Sequence, residues 1–123
     1  MVSDNSFSKS KRLQNPAAFK AVFDKAEFKI SRSETLCLAI ENSLDHPRLG
    51  LVIAKKNIRL AVERNRIKRI IRESFRLHQH QLPAIDLIVL ARRGLGDRNN
   101  ADIHKELAKT WQTLIKKQAK KVS

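Results

Sequence analysis

The chain contains no tyrosine, one tryptophan and one cysteine, with three glycines and three prolines among its 123 residues. Because Cys37 is alone, no internal disulfide can form and no Cys-x-x-Cys metal pair exists. None of the glycines, Gly50, Gly94 and Gly96, precedes a Lys-Ser/Thr pair, which excludes a Walker-type phosphate loop. Carboxylates are scarce, 12 against 26 lysines and arginines, and they are scattered. No pair of them marks general acid–base work or a two-metal centre. His78 and His80 stand two apart, where their side chains diverge, with no third ligand nearby; His46 and His104 are isolated. Neither a catalytic side chain nor a metal site of the protein's own is therefore expected. No apolar run approaches the roughly 18 residues of a membrane span. The first ten residues lack the apolar centre of a signal peptide, so a cytoplasmic protein is expected. Internal repeats are also missing.

What the chain does have is positive charge, a formal net +14, on a sequence whose 41% apolar content is ordinary for a folded domain. Such an excess favours polyanionic partners. Its centre is Arg64-Asn-Arg-Ile-Lys-Arg-Ile-Ile-Arg-Glu-Ser-Phe-Arg76. At about 100° per residue, Ile67, Ile70, Ile71, Ser74, Phe75 and His78 share one arc of a helix. Asn65, Arg69, Arg72 and Arg76 share the opposite arc, flanked by Arg66 and Lys68. Only Glu63 and Glu73 lie close enough in sequence to neutralise them, so the cationic arc cannot be buried. A solvated face is the ordinary explanation of a charge run. Here arginine predominates, and its planar donor fork suits phosphate better than solubility requires.

Residues 1–14 read as a basic, flexible arm, and 15–118 as a single domain with a Lys-rich tail at 119–123. Asn15-Pro16 predicts a helix start with proline in the first turn, and Phe19, Val22 and Phe23 follow at helical spacing. Two phenylalanines on one turn suit a core; in a chain so poor in aromatics they are also the leading candidates to stack on a base. Between Phe28 and Glu41 the pattern alternates. Leu36, Leu38 and Ile40 share one strand face, and the small or polar Thr35, Cys37, Ala39 and Glu41 share the other, which is open to solvent or a ligand. Turn residues at 42–47 lead to a second strand, Arg48 to Ala54, most simply joined as a hairpin. Asn57 is the expected N-cap of a helix over 58–79, with Leu60 continuing its apolar stripe. Asp86–Ala91 predicts a strand buried on both faces, central or parallel. After the basic turn at 92–97, a helix over 100–118 carries Ile103, Leu107, Trp111, Leu114 and Ile115 on its core side. The expected fold class is α+β: one small sheet of about four strands and three helices in the order α-β-β-α-β-α, with room for an extra short strand near 28–30.

The stretch 61–76, together with Arg48-Leu-Gly-Leu-Val-Ile-Ala-Lys-Lys56 and Arg12-Leu13 followed by Phe19-x-x-Val22-Phe23, closely resembles the bacterial ribonuclease P protein subunit over about residues 11–118. The resemblance implies an endoribonuclease in which a catalytic RNA, with Mg²⁺, removes the 5′ leader of precursor tRNA while the protein binds both RNAs. Catalytic RNA and precursor tRNA are then the partners, with no membrane and no required protein partner. It also implies a left-handed β-α-β crossover. RNA-subunit contacts carry over to Arg64, Asn65, Arg66, Lys68, Arg69, Arg72 and Arg76, joined by Lys55 and Lys56. A leader cleft carries over to Arg12, Phe19, Phe23, Thr35 and Cys37, the last at a position often aromatic in the family. A ribosomal RNA-binding protein is the rival and predicts co-sedimentation with ribosomes. DNA binding lacks a dimer partner or helix-turn-helix pattern.

Overall fold

In the computed structural model, which describes residues 11–122, Asn15 caps the first helix by accepting a hydrogen bond from the Ala17 amide at 2.8 Å. Helix α1 (Pro16–Lys25) leads into strands β1 (Phe28–Ser31), β2 (Thr35–Glu41) and β3 (Arg48–Val52). Helix α2 (Ala61–His78), strand β4 (Ile85–Ala91) and helix α3 (Asn100–Val122) complete the chain. The extra short strand is thus present as β1, and the architecture is α+β with three helices on one four-stranded mixed sheet.

The strand order is β1-β2-β4-β3. The expected hairpin between the second and third strands does not form: β1 and β2 are the hairpin, and β4 separates β2 from β3. β4 pairs antiparallel with β2 and parallel with β3, with Ile88 opposite both Leu38 and Gly50. The physical reason lies in β4 itself. It is buried along almost its whole length, so it is most stable with a strand on each edge and helices over both faces.

One sheet face carries Ile30, Cys37, Ala39, Leu49, Leu87 and Val89, which pack with α2 and α3 in the main core. Within it Trp111 is fully buried, donates from Nε1 to Ser74 Oγ at 2.9 Å and meets Phe75 edge-on at 6.3 Å. The other face holds a smaller core of Leu13, Val22 and Ile88 beneath α1.

Several element ends differ from expectation, and β3 stops at Val52, two residues short of the expected Ala54. Helix α2 begins at Ala61 with Leu60 as N-cap, because Asn57 turns away and donates to the Ala91 carbonyl at 3.0 Å. Leu60 is consequently 57% exposed rather than part of the apolar stripe. The expected tail continues as helix to Val122, where Lys121 bonds Glu41 at 2.5 Å and also Glu27. The first ten residues of the expected arm lie outside the described residues. At its base, Arg12 bridges to Leu49, and the Leu13 amide donates to the Leu49 carbonyl at 2.8 Å, so this part is held against the β3 edge. Ile71, fully buried, reports on the α2 docking: Ile71→Ala should cost about 2–5 kcal/mol in urea unfolding. An unchanged midpoint would place it outside the core.

Candidate nucleic-acid interface

Docking of Ile67, Ile70, Ile71, Ser74 and Phe75 sets the rotation of α2. Asn65, Arg69 and Arg72 are left exposed, and with Lys68, Glu73 and Arg76 they line a shallow groove along the helix. Arg76 is held by Glu73 at 2.5 Å, which raises the pKa of the arginine and lowers that of the carboxylate through their shared hydrogen bonds. Neither Arg69 nor Lys68 has a carboxylate partner among the described residues.

The two outer arginines of Arg64-Asn65-Arg66 have other work. Arg64 donates to the carbonyls of Ile58 at 3.0 Å and Arg59 at 2.8 Å, closing the turn before α2. Arg66 donates to Asn100 Oδ1 at 2.6 Å, to the carbonyls of Gly96 at 2.9 Å and Arg98 at 3.2 Å, and to Glu63 at 3.1 Å. It ties α2 to the loop that turns at Gly94, whose φ of 101° lies in the left-handed region that glycine tolerates. Both were expected as RNA contacts; the structure gives them internal partners. Lys55 and Lys56 are exposed on the turn after β3, but neither lines the α2 groove.

Lys68 and Arg72 also line a second cavity, of about 210 Å³, with Arg12, Leu13, Gln14, Phe19 and Leu49–Leu51. The cationic groove and the cavity beside Phe19 therefore share a wall. Partial desolvation of its guanidinium where it meets the cavity wall, and then the nearby charge of Arg12, lower the pKa of the otherwise exposed Arg72. Phe19 lies across Gly50, where an added Cβ would come within 2.6 Å of the ring, so the close approach depends on glycine. The two phenylalanines divide: Phe19 is half-buried against the smaller core, whereas Phe23 is 45% exposed. Val22, between them, is the buried anchor of α1.

Thr35 and Cys37 do not join this cleft. They sit on the opposite sheet face, 6% and 1% exposed, Cys37 in the main core. Burial pushes the Cys37 thiol pKa up to about 12. The β2 residues on the α1 side are Leu38 and Ile40, half-buried beside Val52 and Leu90. The face expected to be open to solvent or a ligand is closed: its small side chains fill the space under two packed helices, while the aliphatic face is incompletely covered by the single short α1. The alternation along β2 carried the signal that separates the two faces.

Among the described residues, no cluster of three His, Cys, Asp or Glu could hold a metal ion. No described helix is long and apolar enough to cross a membrane.

Residues 7–115 match the family model described as Ribonuclease P. The ribonuclease P protein component of Pseudomonas entomophila (strain L48) is 51% identical over 116 residues, 94% of this chain and 86% of that protein. That of Stutzerimonas stutzeri (strain A1501) is 52% identical over 114 residues, 93% and 87% respectively. The solved RNase P protein of Staphylococcus aureus superposes with a TM-score of 0.76 at 32% identity, covering 88% of this chain and 94% of that one. The Thermotoga maritima RNase P protein gives a TM-score of 0.74 at 25% identity, covering 83% and 96%. With nearly the whole chain matched in sequence and in fold, it belongs to the ribonuclease P protein family, the protein components of a ribonucleoprotein endoribonuclease that works with its RNA subunit in tRNA 5′ processing.

Proposed function

We propose that the α2 groove holds the backbone of the catalytic RNA and that the adjoining cavity, lined by Phe19 and with the exposed Phe23 about one turn further along α1, receives the single-stranded 5′ leader of precursor tRNA. The observation that carries this assignment is the shared wall: Lys68 and Arg72 line both the groove and the Phe19 cavity. Two polyanions brought together there repel each other, and cations between them lower that repulsion. Holding the leader beside the catalytic RNA then makes placement of the scissile bond an intramolecular matter. Arg69, Arg72, Lys68 and Asn65 are the RNA-subunit contacts; Arg64 and Arg66 brace the turn and loop beside them. Arg12, Phe19 and Phe23 serve the leader, with Leu49, Gly50 and Leu51 of β3 as the sheet side of the cavity in place of Thr35 and Cys37.

Mg²⁺ belongs to the RNA in this scheme. The groove's carboxylate, Glu73, is held by Arg76, so the donor set does not fit a protein-held divalent ion. The compartment is the cytoplasm, where the two RNA partners are at hand.

Purified protein should leave precursor tRNA intact, and the RNA subunit should restore cleavage, most visibly at low Mg²⁺. Metal-dependent cleavage by protein alone would overturn the scheme. Arg69→Ala should reduce the log–log salt slope of RNA-subunit binding by about 0.7–0.9 with an unchanged melting temperature. Arg66→Ala should instead destabilise the fold by about 1–3 kcal/mol, because it strips the hydrogen bonds from two loop carbonyls; equal melting temperatures for the two variants would contradict that division. Phe19→Ala or Phe23→Ala should weaken holoenzyme binding of precursor over mature tRNA by about 1–3 kcal/mol per lost stacking contact. Equal weakening for both tRNAs would remove the leader from the cavity.

A further inference from the structure

Helix α3 carries a second cationic surface, which shares no lining residue with the α2 groove or the cavity beside it. Lys105, Lys109 and Lys116 fall within about 40° of one another around the helix and span about 16 Å of its length. They are exposed, opposite the buried Ile103, Leu107, Thr110 and Leu114. With Arg32, Ala108, Gln112 and Thr113 they line a shallow open groove.

Neighbouring carboxylates do not neutralise these lysines. Glu106 is taken by Arg32 at 3.2 Å, and Glu27 and Glu41 both bond Lys121. Among the described residues, the ammonium groups of Lys105, Lys109 and Lys116 have no ion-pair or hydrogen-bond partner; Asp102, at the helix start, is the only carboxylate near the stripe that is not engaged. The groove also lacks an exposed large apolar side chain, so a protein partner would find no anchor there. A row of uncompensated ammonium groups with small polar residues between them suits a phosphodiester backbone.

Position makes this surface separate from the first. Helix α2 packs toward β3 and α3 toward β1, the two edges of the sheet. Two strands intervene, which puts the edges about 14 Å apart. The α2 groove borders Leu49–Leu51 at the β3 edge through Lys68 and Arg72, whereas the α3 groove borders Arg32 beside the β1–β2 turn.

We propose that the Lys105–Lys109–Lys116 face of α3 binds an RNA backbone segment distinct from the one held at α2, so that the protein is gripped by RNA from two sides. The proposal rests on the α2 assignment above only for the identity of the first RNA segment. Lysine, a point charge without a planar fork, makes this second contact sequence-independent and salt-sensitive.

The test uses the full chain carrying K105Q, K109Q and K116Q together, with K109Q alone and Arg69→Ala as companions. Binding is measured across a salt series to the isolated ribonuclease P RNA subunit, and by the holoenzyme to precursor tRNA. The triple variant should keep its melting temperature and lose about 2 to 3 in log–log slope, and K109Q about 0.7–0.9. A loss with the isolated subunit places the segment in the catalytic RNA; a loss only with precursor places it in the substrate. If Arg69→Ala lowers the slope and neither lysine variant does so in either experiment, the α3 face is merely solvated and the proposal falls. If Arg69→Ala fails while the lysine variants succeed, the α2 assignment falls and the α3 contact stands.

Discussion

Burial of one side of α2 is the constraint on which the rest of the molecule depends. Ile67, Ile71 and Phe75 are fully enclosed, and Ser74 is fixed by the Trp111 indole donor. A hydroxyl and an indole N–H in such a core are costly when unpaired, so this bond sets the rotation of α2 against α3 as well as their contact. Once that rotation is set, Asn65, Arg69 and Arg72 have nowhere to point but outward. The cationic groove is thus a consequence of apolar docking, and its geometry is only as rigid as that docking.

Scarcity of carboxylates then decides which cations remain available. Asp86 is shared by Arg48, at 2.6 and 2.8 Å, and Asn42, and so secures the β3–β4 end of the sheet. Burial makes such a charge costly to strand, which explains why its partner is an arginine with two donors in register. Glu63 goes to Arg66, Glu73 to Arg76 and Glu106 to Arg32. The acidic residues act as internal braces, and the surplus of positive charge is displayed rather than cancelled. A protein built this way repels itself until a polyanion binds, which fits the working form of a ribonucleoprotein.

Much of this was legible in the sequence because it is written in local periodicity. The two faces of α2, the doubly buried β4 and the Asn-Pro start of α1 all follow from spacing within a few residues. What spacing could not provide was the partner across the fold. Arg66 looks like any exposed arginine until residues 96–100 come to lie beside it, and Asn57 looks like a helix cap until the end of β4 offers a carbonyl. Strand order depends on which edge of β4 each strand takes, a choice that no single strand encodes. Alternation along β2 separates the two faces correctly, yet it leaves the Thr35–Cys37 face open to solvent or a ligand, and the family resemblance then carries both residues into a cleft that the covering helices do not allow. Here two helices cover that face, and the single short α1 covers the other.

The central claim is that the α2 groove and the Phe19 cavity form one continuous RNA-binding surface joined at Lys68 and Arg72. A double-mutant cycle measures it directly, with Arg72→Ala, Phe19→Ala and the combined variant assayed for holoenzyme affinity toward precursor tRNA. A continuous surface predicts an interaction energy of about 0.5–3 kcal/mol between the two sites. Additivity within about 0.3–0.5 kcal/mol would contradict the account, leaving two independent sites that merely lie side by side.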